Sequence, residues 1–160
     1  MGPNSMELWP LGSGRRSQMR ALGVDFGHKR IGLALSDPTG TIASPLETLV
    51  RREGKRVPYA KMEAIGREGG VKHLVVGLPL NLAGQENDWC AEVRNMGESL
   101  ADRLGVEVSF VDERMTSVRA ERAVRSIGLR KRQREEKGRV DAAAAQLILQ
   151  SWLDNKGVSR

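Results

Sequence analysis

The chain has 160 residues, 39% of them hydrophobic, and carries a net charge of +6 with a sequence pI near 10. That is enough apolar material for one domain with its own core, and too much for a wholly disordered chain. A single cysteine, Cys90, excludes an intramolecular disulfide and an all-cysteine metal site, and no apolar stretch reaches the ~20 residues that cross a bilayer.

Residues 1–18, "MGPNSMELWPLGSGRRSQ", are rich in Gly, Ser and Pro and show no periodicity. They lack the apolar centre of a secretory signal and are expected to be a flexible arm or remnant, with Met19 as a second start. The domain is expected to span residues 19–155, with 156–160 as a tail. Residues 21–25 read as a strand that runs into Asp25. Residues 31–36 read as its hairpin partner across "FGHKR". Residues 41–50 contain a third extended stretch, and Pro45 points to a sheet edge. After the polar loop "RREGKR", Pro58 opens a helix that runs to about Arg67, and Gly69-Gly70 stops it.

"VKHLVVGLP" reads as a short buried strand broken by Gly77 and Pro79. A helix is expected from about Asp88 to Leu104. Trp89, Val93, Met96 and Leu100 form its apolar stripe, and Gly105 stands where a C-terminal glycine belongs. "VEVSFV" is a strand that ends in Asp112-Glu113. Thr116 or Ser117 can cap a following helix. The basic loop "GLRKRQREEKGR" then leads to a last helix from about 140 to 153. A strand hairpin followed by alternating helices and strands predicts an α/β domain with a mixed sheet.

The charge is concentrated. Residues 113–139 hold ten Lys and Arg against four Glu, a net of +6 that equals the charge of the whole chain. Such a segment is either a solvated surface or an electrostatic footprint for phosphates.

Three acidic positions are out of place for surface charges. Asp25 ends the first strand, Asp112 and Glu113 end the last, and Asp141 begins the final helix. The Asp141 neighbours at helical spacing are Ala144, Ala145, Ile148 and Trp152, an apolar, sheet-facing stripe. Each acid alone has an ordinary reading as a turn residue, a helix-dipole charge or an ion-pair partner. Together they call for Mg²⁺ or Mn²⁺, because converging carboxylates facing a core repel each other and are costly to bury. Two such ions about 4 Å apart can hold the attacking and leaving oxygens of a phosphodiester. Adjacent strand residues face opposite sides, so only one of Asp112 and Glu113 can join such a site. Glu113 is the first choice, with Asp112 as the alternative.

Lys29, Arg30, Arg114 and residues 125–139, including Arg130, Lys131 and Arg132, are candidate phosphate contacts. Thr116 and Ser117 can cap or can donate to phosphate. Asn81 and Gly84 form a turn that could also touch substrate. His28 and His73 have no metal-ligand spacing, and His73 alternates with core positions. Cys90 reads as packing.

"GVDFGHKRIGLALSD", "VVGLPLNLAG", "VDERMTS" and "VDAAAAQLILQSWL" resemble the four signature blocks of the YqgF/RuvX family, in order, over about residues 20–155. The resemblance implies an RNase H-like fold, with a five-stranded mixed sheet flanked by helices. It also implies a metal-dependent nuclease whose acids match Asp25, Glu113 and Asp141. Family members are described as nucleases acting on the 5′ end of pre-16S rRNA, or as resolvases of four-way Holliday junctions. The expected partner is therefore structured RNA or branched DNA, met in the cytoplasm by a monomer or homodimer. Two other readings stand beside this one. A phosphotransferase of the actin and sugar-kinase type shares the Asp-x-Gly hairpin but needs two such lobes. A nucleic-acid-binding protein without catalysis would keep the acids as structure alone.

Overall fold

A computed structural model of the chain describes residues 20–51, 56–116 and 137–158, the side chains of 137–141 and 156–158 excepted. The elements are β1 (Ala21–Phe26), β2 (Arg30–Ser36), β3 (Ala43–Val50), α1 (Tyr59–Glu68), β4 (His73–Leu78), α2 (Asp88–Leu104), β5 (Glu107–Asp112) and α3 (Lys137–Val158). A single 3₁₀ turn, Glu113–Met115, follows β5.

The five strands form one sheet in the order β3-β2-β1-β4-β5. Neighbours β1/β2 and β2/β3 are antiparallel, while β1/β4 and β4/β5 are parallel. This is the expected mixed sheet. β1 lies at its centre and is buried at every residue, which is why its sequence is apolar on both faces as far as Asp25. β3 is an edge strand, as Pro45 required, and the β2–β3 register shifts at Leu33/Ala34, opposite that proline.

Helices cover both faces. Leu22, Val24 and Phe26 of β1 pack with Leu74, Val76 and Leu78 of β4 beneath Met62 of α1 and Val93, Met96 and Leu100 of α2. On the other face Ala21, Ala34 and Val75 pack against Ala144, Ala145, Ile148 and Leu149 of α3. A Cβ on Gly23 would stand 2.7 Å from Leu149 Cβ and 3.0 Å from the Ala145 carbonyl. Glycine in β1 and alanine in α3 therefore set how closely this helix docks. Two glutamines tether α3 to the sheet edge. Gln146 Nε2 donates to the Ala43 carbonyl (3.0 Å), and the Ala43 amide donates to Gln150 Oε1 (2.9 Å).

His73 stacks on Trp152 while Gly77, further along β4, faces Ile148. α3 therefore runs antiparallel to β4, and its N-terminus points toward the C-terminal ends of β1, β4 and β5.

Helix α2 has the expected bounds. Asn87 is its N-cap and accepts from the Cys90 amide at 3.0 Å, and Gly105 takes φ 70° at the other end. α3 is longer than its apolar periodicity indicated, beginning at Lys137 and continuing past residue 155. The N-terminal arm, the helix expected after Thr116 and the basic loop lie outside the described residues. Among the described residues no helix is long and apolar enough to cross a membrane.

Candidate active site

Asp25 is 5% exposed near the end of β1. Side chains alternate along a strand, so Asp25 shares the α3 face with Ala21 and Gly23, while Phe26 turns to the α1–α2 side. Its cross-strand partner on β2 is Gly32. On β4, one step beyond the Val24–Val76 pair, stands Gly77. Asp25 is thus bracketed by glycine on both neighbouring strands.

Glu113 is 3% exposed and opens the 3₁₀ turn directly after β5. Its face follows from the same alternation. Ser109 meets His73 at 2.8 Å on the α3 side, Val111 packs in the α3 layer, and Glu113 comes next in that series. The glutamate reaches back over β4. Its Oε2 lies 3.2 Å from the point that a Cβ on Gly77 would occupy, where Ile148 Cδ1 stands 2.5 Å away. Asp25 on β1 and Glu113 just past the end of β5 are separated by β4, about 10 Å of sheet. The longer glutamate side chain and the bare glycine shorten that gap.

Asp112 belongs to a different construction. Its Oδ1 accepts from the Arg114 amide at 2.9 Å, and Arg114 Nη2 reaches its Oδ2 at 2.7 Å. Hydrogen bonding to Asp112 raises the pKa of the Arg114 guanidinium above its usual value, so the pair stays ionic. Arg114 Nη1 also donates to the Leu82 carbonyl (3.3 Å), and a Cβ on Gly84 would stand 3.0 Å from Nη2. Arg114 therefore bolts the turn that carries Glu113 to the loop after β4. Gly84 leaves room for the guanidinium and takes φ 81°, which glycine tolerates.

The other expected residues fall into groups. Asn81 shapes its own loop, accepting from the Gln85 amide at 2.8 Å and, through its carbonyl, from the Gly84 amide at 2.9 Å. Thr116 donates its hydroxyl to the Glu113 carbonyl at 2.9 Å and closes the 3₁₀ turn. Lys29 is exposed and Arg30 half-buried at the β1–β2 hairpin. Asp141 lies in α3, seven residues before Ile148, but its side chain is outside the described residues, as are Ser117, Arg130, Lys131 and Arg132. Among the described residues no three His, Cys, Asp or Glu side chains form a metal-binding group. His73 is held by Ser109 and Trp152, and Cys90 is buried.

Gly32 and Gly77 were not singled out by the acidic pattern. Their signal was present as glycines inside strand sequences, the usual mark of a close approach. A groove of about 290 Å³ beside the 3₁₀ turn, lined by Met115, Thr116, Leu147 and Gln150 among others, lies between that turn and α3.

The donor chemistry fits a small hard cation. Two buried carboxylates, both hard oxygen donors, share one face and one end of the sheet.

The family model RuvX, described as Holliday junction resolvase, matches residues 19–155. A protein of Anaplasma marginale (strain St. Maries) is 44% identical over 135 residues, covering 84% of each chain. One of Anaeromyxobacter sp. (strain Fw109-5) is 44% identical over 138 residues, covering 86% of this chain and 98% of that one. Both bear the name "Putative pre-16S rRNA nuclease". Among solved structures, T. thermophilus RuvC in complex with Holliday junction substrate is similar over 87% of this chain and 96% of its own. Its TM-score is 0.52 at 15% identity, a likeness of fold, which is RNase H-like. By this family model and by the identity to these relatives, the chain belongs to the RuvX family.

Proposed function

We propose that this chain is a metal-dependent endonuclease that hydrolyses phosphodiester bonds of structured RNA, in processing of the 5′ end of pre-16S rRNA in the cytoplasm. The observation that carries the reading is the pair of buried carboxylates, Asp25 and Glu113, facing the same helix across Gly77. The names of the relatives supply the substrate.

Asp25 and Glu113 offer hard oxygen donors, and Asp141 is the third, from the end of α3 that points at the strand ends. When bound, Mg²⁺ or Mn²⁺ supplies Lewis-acid polarisation and activation of water. The chain itself does the positioning. The missing side chain at Gly77 lets Glu113 Oε2 reach back over β4, and the Asp112–Arg114 bolt holds the turn that aims Glu113. Lys29 and Arg30, with Arg130, Lys131 and Arg132, hold phosphates. Arg114, Asn81, Thr116 and Ser117 complete the expected substrate surface. Of these, Arg114, Asn81 and Thr116 already make contacts that brace the site.

The test is a Mn²⁺ cleavage panel of structured RNA, a four-way DNA junction and single strands, run with parent and Asp25→Asn proteins. The expected result is RNA cleavage by the parent and none by the variant, with nucleic-acid binding retained. Junction cleavage in preference to RNA would move the substrate to branched DNA and require a symmetric dimer. Asp25→Asn cutting as fast as the parent would end the nuclease reading.

A further inference from the structure

The hairpin beyond Asp25 carries a pile of rings that the carboxylate chemistry does not use. Phe26 stacks on Trp89 with centroids 5.3 Å apart and planes 7° from parallel. His28 stacks on Trp89 at 3.7 Å and 23°. The series runs outward from the core: Phe26 is 5% exposed, Trp89 is half-buried and His28 is exposed.

Local geometry puts the histidine there. The Gly27 amide donates to the Arg30 carbonyl at 2.9 Å, and a Cβ on Gly27 would stand 2.7 Å from that oxygen. Only glycine closes so tight a turn, and its closure leaves His28 and Lys29 at the tip. Arg51 braces the assembly. Its amide donates to the Lys29 carbonyl at 2.7 Å and its Nη1 to the Gly27 carbonyl at 3.3 Å. Its guanidinium lies 4.7 Å from the Phe26 ring centroid and 5.9 Å from that of Trp89. A positive charge is thereby held against the pile.

We propose that His28, seated on Trp89, is a stacking platform for an unpaired nucleobase of a bound nucleic-acid strand, with Lys29 on the adjoining phosphate. This rests on the reading of nucleic acid as substrate and adds which part of it is gripped. An exposed ring backed by a second ring and flanked by cations is the arrangement on which single-stranded bases stack. A base inside a duplex has both faces covered and cannot use it. The platform follows Asp25 by three residues, no more than about 11 Å of chain. The unpaired nucleotide would thus lie beside the carboxylates, at a junction between paired and unpaired segments.

The experiment measures binding of fluorescent oligonucleotides to the full chain without divalent cations, so that nothing is cut. The probes are a short single-stranded RNA, its DNA counterpart, the same sequence as a blunt duplex, and an abasic strand. His28→Ala is expected to weaken both single strands about tenfold and to leave the duplex within about twofold. His28→Phe, which keeps a ring, is expected to restore binding, and the abasic strand should bind the parent about as weakly as the intact strand binds His28→Ala. Loss on RNA alone would support the platform and add a contact to the ribose. Equal loss on single strand and duplex, no loss on any probe, or a phenylalanine variant as weak as the alanine variant would each overturn it. The two readings fail separately. Asp25-dependent cleavage without His28 discrimination removes the platform alone. Discrimination in a protein that cuts nothing removes the nuclease alone.

Discussion

Replacing Gly77 with alanine inserts one methyl group at the centre of the proposed site. The new carbon would stand 2.5 Å from Ile148 Cδ1, 3.1 Å from Ile148 Cγ1 and 3.2 Å from Glu113 Oε2. Ile148 is fully buried, so its tip cannot swing away freely, and overpacking of this kind costs about 1–3 kcal/mol. Removing a glycine from the unfolded chain offsets about 0.4–1 kcal/mol of that. The net expectation is a loss of about 1–2 kcal/mol in urea denaturation. Glu113 must also give by a few tenths of an ångström. Small misplacements at a reacting centre are expensive, so Mn²⁺-dependent cleavage is expected to fall about tenfold or more. The companion is Gly77→Ala with Ile148→Val, which deletes the clashing Cδ1 while the new methyl fills its place. The double variant should recover most of the stability and little of the activity, because the crowding of Glu113 remains. A Gly77→Ala protein as stable and active as the parent would refute the close approach. A double variant that regains full cleavage would refute the claim that this glycine serves the carboxylate.

Asp112→Ala removes the acceptor of the Arg114 amide and a partly exposed ion pair, with side chains 22% and 33% exposed. The expected cost is about 1 kcal/mol in urea midpoints, with Mn²⁺-dependent cleavage reduced but measurable because the turn that aims Glu113 is loosened; Glu113→Gln should abolish it, and the reverse ranking would exchange the two acids. Asp37 supplies a pH dependence. The Ile42 amide first, and then the Thr39 hydroxyl, lower its pKa from 3.8 to about 2. A folded-state pKa below the unfolded one gives stability that is present above pH ~4 and lost as pH falls toward 2. That contribution is about 1 kcal/mol once solvent screening is allowed for. Asp37→Asn should therefore be less stable than the parent at neutral pH. The gap should close by about pH 2, and a gap that stays constant across this range would contradict the assignment.

Much of the fold was legible because its causes are local. Periodicity marked α2, Gly105 marked its end, and Pro45 marked an edge strand, since each depends on the backbone within a few residues. The acids at Asp25 and Glu113 could be picked out for the same reason: a carboxylate closing an apolar strand is visible in a short window. The choice of Glu113 over Asp112 as the acid facing α3 was not settled in that window. It turns on which side of β5 meets α3, hence on β4 lying between β1 and β5 and on the side taken by the last helix. Gly77 looked like a strand breaker until the neighbouring Glu113 and Ile148 gave its missing side chain a meaning. The Phe26–Trp89–His28 pile joins a hairpin to a helix about sixty residues away, and no local pattern announces such a meeting. The sequence alone marked most of the described elements and carried the family resemblance, because propensity, side-chain spacing and motifs act within short windows. Only the tertiary structure decided which side chains share a face and which glycines make room for them, because those depend on pairings between segments far apart in the chain.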